Sequence, residues 1–428
     1  MTSGLPERFA SGTVWTAGGF AVFAVAGVLI NVIVAAAYGA APLGVFNLVV
    51  TVYTLASQLA VLGIHNSVVR HIALHESRHR GHRPSILAGA LGVTVVLAVV
   101  VSGALYLFAT PYAVVTNSPD TAIGLRLISP ALALFALNKV LMAALNGERR
   151  MRAFALGQVL RSVILVGTVA VAAQRGWDPA RLPIAFVYSE LTLFVALAVP
   201  RLREIGQVDL RLASRWFATH TSFGVRGFLG GFMVEANSRV DVLMLGVFVD
   251  DRTVGLYSFA SMFVVGMHNL MMVVKQNVNP VLSERWVSRQ HEEIRLLVRT
   301  VRRFVYPGTL VASVALFAVF PFIARLLGED GSRDSTIMLA ILLAGVVVAS
   351  GHLTFDMFLV QAGHPGVHTL YAAASVATNV LLNLALIPRF GGIGAAIATS
   401  LAVALSALYV EVLIRRTLRF PLTSRPRR

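Results

Sequence analysis

The chain has 428 residues, 57% of them hydrophobic and only 13% charged, with a formal net charge of +16 and a mean hydropathy of +0.76. A soluble globular chain carries about 25% charged residues, so two or three water-soluble domains are excluded and the chain reads as an integral membrane protein. Cysteine is absent, which removes disulfides, thiol catalysis and cysteine-ligated zinc or iron–sulfur centres.

A bilayer core takes about 20 apolar residues per helix at about 1.5 Å of rise each. Twelve such runs are present, and they predict an all-α polytopic fold. The first six lie near 12–38, 43–64, 86–109, 121–145, 154–173 and 183–199. The second six lie near 218–248, 253–276, 304–326, 335–360, 367–387 and 392–414. The opening run, about Ser11 to Tyr38, is too long for a cleavable signal peptide and lacks a clear small-residue cleavage site, so it is expected to be the first span.

A net charge of this size suggests nucleic acid in a soluble protein. Here the basic residues sit in short loops and report topology instead, so no nucleic-acid partner is expected. With the N-terminus placed in the cytoplasm, the cytoplasmic segments hold 25 of the 36 basic residues, the external loops six and the spans five. That bias places both termini in the cytoplasm.

The two halves resemble each other. Gly44-Val45-Phe46 matches Gly255-Leu256-Tyr257 at an offset of 211, Asn66 falls on Asn277 at the same offset, and Gly147 pairs with Gly363 at 216. Six spans per repeat is an even number, so both halves enter the membrane with one polarity and their axis runs along the membrane normal. The expected architecture is two six-helix lobes, 1–210 and 211–428, around a central cavity, as in a transporter.

Charged side chains inside spans cost about 2.5–3.5 kcal/mol on insertion scales, so each needs a partner, a cavity or a function. The basic ones are Arg126, Lys139, Arg161, Arg226 and Arg239; the acidic ones are Glu190, Glu235, Asp241 and Asp356. A cationic interior suits a phosphate or pyrophosphate, which arginine grips with paired hydrogen bonds. In the seventh span Arg226, Asn237 and Asp241 share one helical face and are expected to line the cavity. Glu235 and Arg239, at i, i+4 on the opposite face, are expected to form a structural salt bridge. Arg126 and Arg161 lie near span ends, where snorkelling explains them equally well. His352 and Asp356, also at i, i+4, form either a proton-relaying, ion-coupling pair or a satisfied contact between helices.

Three further features have plainer readings. His71, His75 and His79 share a helical face, but they sit in an arginine-dense stretch that a solvated loop explains, so no metal is expected. The run Gly391 to Ala396 follows no strand and reads as helix packing or a turn, not a nucleotide fingerprint. From Ser283 to Phe304, Trp286, Ile294, Leu297 and Val301 alternate with charges, which predicts an amphipathic helix on the cytoplasmic surface, held by anionic lipid.

Two stretches carry a family resemblance. Arg239-Val240-Asp241-Val242-Leu243-Met244-Leu245-Gly246, followed by Val254-Gly255-Leu256-Tyr257-Ser258-Phe259-Ala260, resembles the aspartate and "vGxYsxA" segment of polysaccharide and oligosaccharide flippases. Asn379 to Ser400, with Asn383, Ile387-Pro388 and Gly392-Ile393-Gly394-Ala395-Ala396-Ile397-Ala398-Thr399, resembles that family's "N…LIP…GixGAAxAT" pattern. The resemblance covers most of the chain. It implies an O-antigen-type flippase of the multidrug/oligosaccharidyl-lipid/polysaccharide exporter superfamily in a prokaryotic inner membrane. Such a protein carries a polyprenyl-pyrophosphate-linked glycan to the outer leaflet by alternating access, with a proton or sodium ion as coupling partner, glycan-assembly proteins and membrane lipids as neighbours, and no cofactor. Matching basic positions are Arg226 and Arg239, with Lys139 and Arg161 across the cavity. Asp241, Glu190, Glu235, His352 and Asp356 are the ion-coupling candidates.

Three other readings were weighed against this one. A drug–cation antiporter of the same superfamily is the nearest rival, but it favours acidic over basic cavity residues. A membrane glycan polymerase commonly needs a sizeable external loop, and the longest here, around Arg325 to Asp334, spans about ten residues. A sugar facilitator would carry a Gly-x-x-x-Asp-Arg-x-Gly-Arg loop motif, which residues 65–85 lack.

Overall fold

Hydrocarbon offers no water to backbone N–H and C=O groups, so a spanning segment satisfies them within itself and folds as helix. The computed structural model describes residues 5–75 and 82–420, the side chains of 5–14, 16, 17, 75 and 205 excepted. Among these residues there is no strand, and the helices in chain order are α1 (Leu5–Tyr38), α2 (Ala40–Val61), α3 (Ile64–His75), α4 (Arg83–Val115), α5 (Pro119–Gly147), α6 (Met151–Gln174) and α7 (Ile184–Ala198), then α8 (Leu210–Asn237), α9 (Val240–Phe248), α10 (Asp251–Val287), α11 (His291–Ala324), α12 (Glu329–Leu353), α13 (Phe358–Gln361) and α14 (Pro365–Leu418). Short 3-10 helices occupy Pro179–Arg181, Val199–Gln207 and Arg325–Leu327.

Ten of the described stretches are long and apolar enough to cross a membrane. α14 is one of these but contains two helices, because Gly391 adopts φ 56 and ψ −133 inside it, a left-handed conformation open chiefly to glycine. The glycine-rich run is therefore a turn between two crossings. α8 is not among the ten, since arginines and hydroxyl residues dilute its hydropathy, and with α9 it supplies the remaining crossing. The protein is thus an all-α multi-pass membrane protein of about twelve spans. Leu107 and Val114 are each 75% exposed and Phe304 is 70% exposed; a protein surrounded by water rarely presents such a surface in extended patches, whereas lipid accepts it.

The chain forms two compact units. The first takes Met1–Tyr38 and Val45–Phe232, the second Gly39–Gly44 and Met233–Arg428. In the first unit α1 packs along α6, α4 along α5, and α5 along α7. In the second, α9 packs along α14, α11 along α12, and α12 along α14. Ile64, Ile72, Ile86, Val140 and Ala144 centre one apolar core in the first unit. Val278, Leu282, Ile294, Phe355, Phe358 and Ile414 centre another in the second.

Three expectations need correction. The seventh span is not one helix: α8 ends at Asn237 and α9 starts at Val240. Ser238 and Arg239 form the turn between them, so no continuous face runs from Arg226 to Asp241. The segment 283–304 is not a surface helix; it is the end of α10, a turn and the start of α11. Its apolar residues Ile294, Trp286, Leu297 and Val301 face the second unit's core, and burial at a helical corner produces the same alternation as a lipid surface. Residues 325–334, read as a loop, are helical except at Gly328.

Candidate functional site

In the first unit, α5, α6 and α7 bring Asn138, Arg161 and Glu190 together. Arg161 Nη2 donates to Glu190 Oε2 at 3.0 Å, and its Nε stands 3.0 Å from Oε1. Asn138 Nδ2 donates to the Glu190 backbone carbonyl and to Oε2, each at 2.8 Å. Glu190 is 2% exposed, and a carboxylate so buried persists as an ion only with such partners. The guanidinium lies 5.1 Å from the centre of the Phe135 ring, and Lys139 Nζ lies 5.6 Å from the same ring. Both distances suit cation–π attraction.

The other two basic candidates of this unit make different contacts. Arg126, about 20 Å of helical rise from Lys139, donates from Nη2 to Thr110 Oγ1 at 2.6 Å and covers the Tyr106 ring. Arg226 is exposed and folds back on its own helix, with Nε donating to the Ser222 carbonyl and Nη2 to Ser222 Oγ, both at 3.0 Å.

In the second unit the two stretches that carry the family resemblance converge. Asp241, in the first turn of α9 and 7% exposed, accepts the Val242 N–H at 2.9 Å. It also accepts the hydroxyl of Tyr257, which lies 3.1 Å from Thr399 Oγ1. Asn379 Nδ2 donates to the Asn237 carbonyl at 3.3 Å, and Asn383 Nδ2 donates to Asn379 Oδ1 at 2.8 Å. Glu235 and Arg239 form the expected salt bridge, at 3.3 Å.

His352 and Asp356 do not pair. α12 ends at Leu353 and a run of turns follows, so the i, i+4 relation of a helix is lost. Asp356 instead meets Lys275 Nζ at 2.7 Å. His352 Nδ1 lies 3.1 Å from the Tyr306 hydroxyl, and its Nε2 lies 3.9 Å from Glu411. Arg302 Nη2 approaches Glu411 at 3.7 Å, and its Nε donates to the Gly351 carbonyl at 2.9 Å.

Lys275, Arg302, Tyr306 and Glu411 were missed as interior polar residues. The hydropathy pattern placed the first two in a loop, whereas α10 runs on to Val287 and α11 starts at His291. The signal that could have found Lys275 is its rarity, one of two lysines among 36 basic residues, opposite an intramembrane aspartate.

His71 contacts Ser67 and His220; His79 lies outside the described residues, as does the side chain of His75. Among the described residues no group of three acidic or histidine side chains is placed to hold a metal ion.

Two helical units, each holding ion pairs between its helices, define a polytopic all-α membrane fold, and solved structures share it. An inward-facing multidrug resistance MATE family transporter of the MOP superfamily superimposes with a TM-score of 0.77 at 12% identity, over 94% of this chain and 99% of that one. The lipid II flippase MurJ in its inward closed conformation gives 0.76 at 15% identity, over 94% of this chain and 87% of that one. The chain belongs to the polysaccharide biosynthesis protein family, which matches residues 9–286. A Haloferax volcanii protein named "Probable low-salt glycan biosynthesis flippase Agl15" is 25% identical over 274 residues, 62% of this chain and 56% of that protein. The chain thus spans little more than half the length of that curated relative.

Proposed function

We propose that the protein is a flippase that moves a polyprenyl-pyrophosphate-linked oligosaccharide from the inner to the outer leaflet for surface glycan assembly. The observation that carries this reading is the pair of cations, Lys139 and Arg161, gathered on one aromatic ring inside the first unit. Half-buried guanidinium and ammonium groups of this kind suit a pyrophosphate. Family membership and the names of the relatives point the same way. Six-helix lobes at 1–210 and 211–428 would alternate access, with a proton or sodium ion as the coupling partner.

Asp241 is the favoured coupling carboxylate, because it accepts the Tyr257 hydroxyl, which in turn meets Thr399, and makes no salt bridge among the described residues. Glu190, Glu235 and Asp356 are each ion-paired within their own unit, which makes them weaker candidates, and His352 leans on Tyr306. The loop charge bias favours cytoplasmic termini, and the archaeal flippase relative favours a prokaryotic inner membrane.

Deletion of the gene tests the proposal. Accumulation of lipid-linked precursor on the inner leaflet and loss of surface glycan are expected. Intact glycan with raised sensitivity to organic cations would replace the reading with a drug–cation antiporter.

A further inference from the structure

Arg161 and Glu190 meet in a two-pronged contact, with Nη2 and Nε each 3.0 Å from a different carboxylate oxygen. The same guanidinium fork fits a phosphate. Glu190 therefore takes the Nη2 donor and the ion-pair position that an anionic ligand would need, while Nε, 3.0 Å from Oε1, makes no hydrogen bond among the described residues.

Each partner also has support that does not depend on the other. Asn138 holds the Glu190 carboxyl at 2.8 Å, and the Phe135 ring lies under the guanidinium. Arg161 retains 12% side-chain exposure against 3% for Glu190. These contacts lower the cost of parting the two charges, a cost that a buried pair otherwise makes high. Joining α6 to α7 does not require the pair, since Ser189 Oγ already donates to the Arg161 carbonyl at 2.8 Å.

We infer that Glu190 is an internal competitor for Arg161: it fills the guanidinium when no ligand is bound, yields to the phosphate oxygens of an anionic ligand, and returns to displace them at release. The inference rests on the anionic-substrate reading above. A carrier gains from such a device because its site must bind strongly enough to load and weakly enough to unload, as in a conducting pore.

The charged and titratable groups around the carboxyl come from four other helices. Arg161 stands on α6, and Lys139 on α5 shares the Phe135 ring. Tyr53 on α2 lies within electrostatic reach of both Glu190 and Arg161, 5.8 Å from Phe135 between ring centres. His65 on α3 lies within electrostatic reach of Lys139. A neutral side chain of the same shape cannot compete for the guanidinium, so removing the carboxylate charge by substitution is expected to raise ligand affinity.

The test uses the purified full-length protein in lipid nanodiscs and farnesyl-pyrophosphoryl-glucose as the probe. This pyrophosphate diester lacks the ionisation that a phosphate monoester shows at about pH 6. Binding is measured by calorimetry at pH 8. At pH 8, Glu190→Gln is expected to bind about tenfold tighter than wild type, within the usual range of site coupling. Glu190→Asp, which keeps the charge, is expected to stay near the wild-type value. A folded Gln variant that binds no tighter than wild type overturns the competitor. So does a Glu190→Asp variant that binds about tenfold tighter than wild type, since it keeps the competing charge. A wild type that fails to bind the probe overturns the substrate reading and the competitor together.

Discussion

Gly44 and Gly255 close on each other within the second unit. A Cβ on Gly44 would strike the Asp251 carbonyl oxygen, and a Cβ on Gly255 would strike the Ala40 carbonyl oxygen. The offset of 211 that relates them in the sequence is therefore also a contact in space. Both obstacles are backbone, so no side chain can rotate out of the way. Gly44→Ala and Gly255→Ala are each expected to destabilise by about 1–3 kcal/mol, the usual range for overpacking. Gly266→Ala, which meets nothing within 4 Å, is expected to leave stability unchanged or slightly raised, as alanine favours helix over glycine. Thermal unfolding of the purified variants checks all three.

Lys275 and Asp356 tie α10 to the turns after α12, with side chains 14% and 15% exposed. Removing one partner of a buried pair strands the other charge, at about 3–5 kcal/mol for full burial. Lys275→Met and Asp356→Leu are each expected to lower the unfolding temperature, and the double variant to recover most of the loss. Additive losses in a double-mutant cycle would show that the two residues act independently.

Asp241, Tyr257 and Thr399 bear on coupling. Asp241→Asn keeps the shape of the side chain but loses its charge, so vesicle transport is expected to lose its dependence on an ion gradient while the protein still folds. Tyr257→Phe removes a hydroxyl donated to a carboxylate and is expected to destabilise by about 1.5–3 kcal/mol. Ion-dependence curves and thermal melts separate the two effects.

Much of this molecule follows from local pattern. The spans were legible because about 20 apolar residues are needed per crossing, and Glu235–Arg239 was legible because its partners sit one helical turn apart. What could not be read is set by distance along the chain. Lys275 and Asp356 are separated by 81 residues, Asn138 and Glu190 by 52, and Tyr257 and Thr399 by 142. Helix interruptions were equally hidden. A two-residue break before α9 reorients Asp241, and turns after Leu353 separate His352 from Asp356. The segment 283–304 misled for a physical reason, since an apolar stripe forms alike against lipid and against a protein core.

Lys139 and Arg226 differ in setting. Lys139 sits over Phe135, whereas Arg226 is exposed and bonded to Ser222. Lys139→Ala and Arg226→Ala are both expected to reduce glycan transport without loss of expression, measured as surface polysaccharide in complemented deletion cells. Normal transport by both variants would remove the cationic site from the mechanism.

The most direct measurement is translocation itself. Purified protein is reconstituted into vesicles carrying a polyprenyl-pyrophosphate-linked oligosaccharide, and outer-leaflet exposure is followed with a membrane-impermeant glycosidase. The expected result is that the protected inner-leaflet half becomes cleavable at a rate that depends on the protein and falls in Lys139→Ala. Protection that persists equally with and without protein would contradict the flippase assignment.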